Sequence, residues 1–109
     1  MVSSDKELAA RITVADTFFS RLKGLLGTNS LPRGEGLWLV PCKAVHTFGM
    51  RFSIDLLFLD QEQRVVSSVS GLVPNRITAF YRRASSVLEL PAGSLNGISP
   101  GIGEQVRFL

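Results

Sequence analysis

Apolar side chains in this chain alternate with polar ones or run together in short blocks, and one stretch departs from that rhythm. Leu8 to Val14 reads as a first strand, because β-branched Ile12, Thr13 and Val14 favour extended backbone. After Asp16 the period changes. Phe18, Phe19, Leu22, Leu25 and Leu26 recur at helical spacing, Asp16 suits an N-cap, and Gly27 suits a left-handed stop. One helix is therefore predicted over residues 16–26, with Arg21 and Lys23 mostly off its apolar stripe. Asn29, Ser30, Pro32 and Gly34 mark a loop before a strand at Gly36 to Val40, which Pro41 interrupts. Phe52 to Asp60 is apolar on both faces, as a strand covered on both sides is, and Gln61-Glu62-Gln63 turns it into a second strand at Arg64 to Val69. Those two strands are expected to form a hairpin. Gly71 to Asn75 reads as a loop, and Arg76 to Tyr81 fits no single pattern. Ser86 to Leu90 is a strand stopped by Pro91-Ala92-Gly93, and a glycine-rich turn precedes a closing strand at Glu104 to Leu109.

Several short strands and one helix in 109 residues predict a mostly β, α+β fold, organised as a compact antiparallel β-sandwich or barrel-like single domain spanning 1–109. Composition agrees: 45% hydrophobic against 19% charged residues, with mean hydropathy +0.23, excludes a disordered chain. A net charge of +3 and a pI near 9.6 are a mild excess, so nucleic acid is not an expected partner. One cysteine allows no internal disulfide and is compatible with a reducing compartment. No window approaches the roughly 18 apolar residues of a membrane span, and the start is polar, so the expectation is a cytoplasmic protein with no membrane partner.

Reactive chemistry is concentrated in one place. Cys42, His46, Met50 and Asp55, including the single cysteine and the single histidine, lie within one short stretch. Thiolate, imidazole and thioether are ligands for copper(I), and the first two also suit zinc. A Cys42, His46 and Met50 metal site would require a helix to stack the three, which Pro41 and Gly49 oppose. Cys42, His46 and Asp55 also supply a nucleophile, a base and an orienting carboxylate, if the loop folds back on itself. The structural reading is preferred to both, with Cys42 and Met50 as core filler, His46 as a single hydrogen-bond donor, and Asp55 as an anchor. A carboxylate inside an apolar strand needs donors, for which backbone amides of the preceding loop, His46, Arg21 or Arg51 are candidates. Glu89, equally isolated in its strand, poses the same question unless alternation turns it to solvent. A binding surface is the remaining possibility. Trp38, Phe48, Phe52 and Tyr81 with Arg51, Arg76, Arg82 and Arg83 could line a shallow pocket for an anionic or sugar-like ligand. Tyr81-Arg82-Arg83 lacks the stripe of cations and aromatics of a single-strand binder.

Arg21-Leu-Lys-Gly24-Leu-Leu-Gly, Gly36-Leu-Trp-Leu, His46-Thr-Phe-Gly-Met50-Arg-Phe-Ser-Ile-Asp55-Leu-Leu-Phe58-Leu-Asp, Val87-Leu-Glu89-Leu-Pro-Ala-Gly93 and the final glycine-rich turn together resemble the family known as domain of unknown function 192. The resemblance covers nearly the whole chain in order. It implies a small β-rich domain with one helix, and it brings no reaction, substrate or cofactor. The chain differs from many members in carrying His46-Thr47-Phe48-Gly49-Met50 where they have Phe-Trp-Met-Lys-Asn-Thr, and Gly103-Glu104 where Gly-Asp is usual. The functional expectation is a small ligand-binding or accessory module without its own catalysis or cofactor, with an enzyme built on Cys42, His46 and Asp55 as the alternative. The resemblance places the site where the 42–55 segment meets the Arg21–Gly24 turn and the Val87–Gly93 strand end. Its candidate contacts are Arg21, Trp38, His46, Met50, Arg51, Asp55 and Glu89. Edge strands at Leu8 to Val14 or Glu104 to Leu109 allow a monomer or a weak homodimer.

Overall fold

Two apolar runs, Ile54-Asp55-Leu56-Leu57-Phe58-Leu59 and Ser86-Val87-Leu88-Glu89-Leu90-Pro91, lie side by side as antiparallel strands in the computed structural model. The structure describes residues 2–3, 7–9, 11–17, 24–25, 28–96 and 100–108. In chain order the strands are β1 (Val2–Ser3), β2 (Glu7–Ala9), β3 (Arg11–Ala15), β4 (Glu35–Leu39), β5 (Ile54–Leu59), β6 (Val65–Leu72), β7 (Ser86–Pro91) and β8 (Arg107–Phe108). Five of them form one sheet in the order β3-β4-β7-β5-β6, and β2-β1-β8 form a small antiparallel sheet.

Every residue of β5 and β7 is buried, because both faces of the large sheet are covered. On one face Ile54, Leu56, Phe58, Val87, Leu37 and Leu39 pack with Leu25, Val45, Met50 and Ala84 from the connecting segments. On the other, Leu57, Leu59, Leu88 and Leu90 pack with Leu8, Ala9 and Val106 of the small-sheet side and with Leu95. Each large aliphatic or aromatic side chain so buried contributes about 1.5–3 kcal/mol, so this double-sided centre is the main source of stability. A radius of gyration of 12.3 Å is what a single compact domain of this length requires.

The mostly β, single-domain architecture agrees with the sequence reading. The hairpin is β5–β6, closed by a turn in which the Asp60 carboxylate accepts from the backbone N–H of Glu62 and Arg64. One pairing breaks the antiparallel expectation. β3 and β4 run parallel, from Arg11 opposite Glu35 to Ala15 opposite Leu39, and the intervening chain is long enough for the crossover that a parallel pair needs. The sheet stays open, with β3 and β6 at its edges, so the arrangement is not a barrel. The helix expected at 16–26 falls mainly on positions outside the described residues; Asp16 and Thr17 carry no helix, and Gly24–Leu25 lie in a turn.

Candidate functional site

Pro41 ends the run of β4, and the chain then crosses the domain as an irregular strand whose backbone bonds to residues 75–85. Cys42 N–H donates to Ser85 O (3.1 Å), Tyr81 N–H to Lys43 O (2.9 Å), Thr78 N–H to Val45 O (2.8 Å), Thr47 N–H to Arg76 O (2.8 Å) and Asn75 N–H to Thr47 O (3.0 Å). His46 and Ile77 sit opposite each other in an antiparallel bridge. Residues 43–48 and 75–81 thus make a two-stranded ribbon; the period of two sorts the side chains of 45–48, whereas in 75–81 the pairing slips by one residue between Thr78 and Tyr81, whose amides bond to Val45 and Lys43. Val45 and Thr47 turn inward, where the Thr47 hydroxyl donates to Val73 O (2.7 Å) and accepts from Arg76 N–H (2.9 Å). His46 and Phe48 turn outward, with ring centroids 5.6 Å apart and planes 28° from parallel.

The outer side of this ribbon is unusual in composition. Phe48 is 52% exposed, Ile77 70% and Phe80 68%, and Val73 is also exposed. Arg51, Arg76, Arg82 and Arg83 are exposed beside them. The Lys43 ammonium caps the carbonyls of Arg82 (2.8 Å) and Ala84 (2.6 Å), and Arg51 donates to Asn29 Oδ1 (2.7 Å), a neutral partner. No Asp or Glu occurs between Glu35 and Asp55, or between Glu62 and Glu89. The ion pairs found among the described residues, Arg11 with Glu35 and Arg64 with Glu62, lie elsewhere. Lys43, Arg51, Arg76, Arg82 and Arg83 and the exposed Phe48, Ile77 and Phe80 therefore share two paired stretches, 42–51 and 73–85, that contain no carboxylate. The gap in acidic residues was the available sequence signal, but the exposure of Ile77 and Phe80 could not be inferred from it.

The structure distributes the other candidates over three places. Asp55 is fully buried on the face of β5 that carries Leu57 and Leu59, where Oδ1 accepts from Gly71 N–H (2.8 Å) and Oδ2 from Leu95 N–H (2.9 Å). Gly71, at φ 65°, sits in a bulge of β6 opposite Asp55, and that left-handed backbone is one glycine adopts readily. Among the described residues the donors are neither the preceding loop nor His46 nor Arg51, so Asp55 anchors β6 and the turn after β7. The Cys42 thiol donates to Ala44 O (3.1 Å), and Met50 is buried in the opposite face of the core while His46 faces outward. Cys42, His46 and Asp55 are not brought together as a nucleophile, base and orienting group. Among the described residues no cluster of three or more His, Cys, Asp or Glu is arranged to hold a metal ion. Trp38 stacks on Phe108 at 4.0 Å on the small-sheet side, and its Nε1 is buried without a hydrogen bond. Arg21 lies outside the described residues.

Glu89 does not point to solvent. Because β7 is central, alternation only moves its side chain from one covered face to the other; Glu89 is 4% exposed, opposite Leu37 and Leu56. Its Oε1 is buried with no hydrogen-bond partner, and burial pushes its carboxyl up from the ordinary 4.5 to about 7. Beyond the end of β7, Arg33, Ser94 and Asn96 with Leu8, Gly34 and Pro91–Gly93 line an open cleft of about 390 Å3. It lies near the Val87–Gly93 strand end where the sequence put the site, yet none of the six predicted contacts among the described residues lines it.

The family DUF192, described as Uncharacterized ACR, matches residues 1–108. The chain belongs to this family. A UPF0127 protein of Pyrococcus horikoshii is 32% identical to this DUF192 member over 115 residues, covering 99% of this chain and 97% of the relative. A UPF0127 protein of Pyrococcus furiosus is 29% identical over 112 residues, covering 98% and 94%. Among solved structures, a protein of unknown function from Novosphingobium aromaticivorans superimposes with a TM-score of 0.79 at 20% identity, covering 89% of this chain and 74% of that one. A protein from Sinorhizobium meliloti named as a candidate transcription regulator gives 0.77 at 19% identity, covering 88% and 79%. At those identities the two structures show a shared DUF192 fold, and the regulator name stays with the protein that bears it. None of these four relatives is named for a reaction or a ligand. No helix among the described residues is long and apolar enough to cross a membrane.

Proposed function

We propose that this DUF192 member is a binding or accessory module without catalysis of its own, acting in the cytoplasm, and that its binding face is the outer side of the ribbon. The ligand class is anionic: Arg51 and Arg76 grip oxyanions, and the His46–Phe48 ring pair offers an adjoining apolar surface. One observation carries this reading. The two paired stretches 42–51 and 73–85 bring five cations and no carboxylate alongside the exposed Phe48, Ile77 and Phe80. Exposed charge of one sign without compensation raises the local concentration of counter-ions and is free to pair with a partner. A sugar-like ligand would want neutral acceptors and donors beside the rings, and guanidinium groups dominate here.

Melting curves in inorganic phosphate, compared with sodium chloride of equal ionic strength, test the reading. Phosphate stabilises proteins in general by exclusion from their surface, so the readout is the difference between the natural chain and an Arg51→Ser, Arg76→Ser variant. A phosphate-dependent rise in Tm that is larger in the natural chain, and retained in Cys42→Ser, supports the ribbon as the binding face. Equal rises in all three proteins would remove it.

A further inference from the structure

Resting on that binding face, we infer that the anionic partner is the headgroup layer of a membrane, on which the ribbon docks peripherally. A small anion needs the guanidinium groups and nothing more, so it leaves the projecting apolar side chains unexplained. Phe48, Ile77 and Phe80 stand out from the same two segments that carry Arg51, Arg76, Arg82 and Arg83. Beneath them the backbone hydrogen bonds of the ribbon are made internally, across the 43–48 and 75–81 pairing. The two paired stretches therefore present exposed apolar side chains interspersed with exposed cations. A bilayer surface suits both, with phosphates outside for the cations and acyl chain behind them for apolar side chains that enter about 5–10 Å.

The other occupants fit less well. A second copy of this chain would bring the same five cations face to face with no carboxylate from either segment to separate them. Single-stranded nucleic acid is bound by stacking bases on aromatic faces, and Ile77 and Val73 have no such face. Peripheral docking departs from the sequence expectation of no membrane partner, and the absence of a spanning helix among the described residues is compatible with docking from outside.

The experiment is co-sedimentation of the whole chain with phosphatidylcholine vesicles, with or without phosphatidylglycerol, at low and raised salt. It is run alongside the phosphate melting assay and a thymidine oligonucleotide arm. The tip variant is Ile77→Ser, Phe80→Ser, which keeps every cation; the charge variant is Arg76→Ser, Arg82→Ser. All four positions are exposed, and circular dichroism confirms that each variant folds. Expected are partitioning onto phosphatidylglycerol vesicles alone, loss of that partitioning at raised salt, and a drop of about tenfold or more in the tip variant, since each tip loses apolar burial. The tip variant should keep its phosphate-dependent Tm rise. Binding to neither vesicle, equal binding to both, or an unchanged tip variant would overturn the membrane inference. If the phosphate effect persists in such a case, the anionic binding face still stands; if it is also absent, both fall. Oligonucleotide binding lost in the same variants, without vesicle binding, would assign the face to nucleic acid instead.

Discussion

The paired strands β5 and β7 and the ribbon of residues 43–48 and 75–81 are both pairings of extended backbone and reach opposite outcomes. In the first region both faces are covered, so every position is interior, and the polar residues Asp55, Ser86 and Glu89 are the ones that need an account. In the second only one face is covered, so Val45 and Thr47 are settled and the apolar residues Phe48, Ile77 and Phe80 need the account. A residue type is informative where it contradicts its surroundings. In this molecule the contradictions inside concern stability, and those outside concern binding.

The contrast is broken most severely from the inside. Phe58→Ala, which empties a fully buried ring site where Phe58 meets Tyr81 at 4.4 Å, should cost about 3–5 kcal/mol in a urea titration. A loss below about 1 kcal/mol would mean that β5 is not the centre of the fold.

Glu89 gives the next effect, and it depends on pH. Its folded pKa is raised, so the folded state favours the protonated form. The stability this protects is fully present below the unfolded value of 4.5 and is lost as pH rises through about 7. The loss across that window is on the order of 3 kcal/mol. Glu89→Gln, which stays neutral, should flatten this part of the stability profile; an unchanged slope would assign it to other groups.

Asp55 is smaller because its partners are backbone amides. Asp55→Asn puts an amide NH2 against either Gly71 N–H or Leu95 N–H, leaving a buried donor without an acceptor, at a cost of about 1–3 kcal/mol. The check is equilibrium denaturation with amide exchange: Gly71 and Leu95 should lose protection ahead of β7. The smallest effects belong to the ribbon. Ile77→Ser or Phe80→Ser should change stability by no more than about 0.5 kcal/mol. A larger loss would show that these side chains serve the core, and the contrast between the two regions would dissolve.

The legible parts of the fold were those whose pairing is local or whose burial is uniform. The β5–β6 hairpin follows from two runs and a short turn, and β4 and β7 from apolar blocks bounded by glycine and proline. The parallel β3–β4 pair was not legible, because a crossover joins segments that no local pattern connects. Asp55 could be recognised as needing donors, but those donors lie 16 and 40 positions away. Glu89 looked like a candidate for the solvent face because alternation assumes that one face is wet, an assumption that fails for a central strand. Arg76 to Tyr81 resisted reading for the converse reason. It pairs with an irregular segment, and Ile77 and Phe80 face outward, so hydrophobicity there does not report burial.

Backbone amide shifts recorded while inorganic phosphate is titrated into the whole labelled chain test the binding face most directly. The account predicts saturable shifts confined to residues 43–51 and 73–83. Shifts gathered instead around Arg33, Ser94 and Asn96, at the cleft beyond β7, would contradict it.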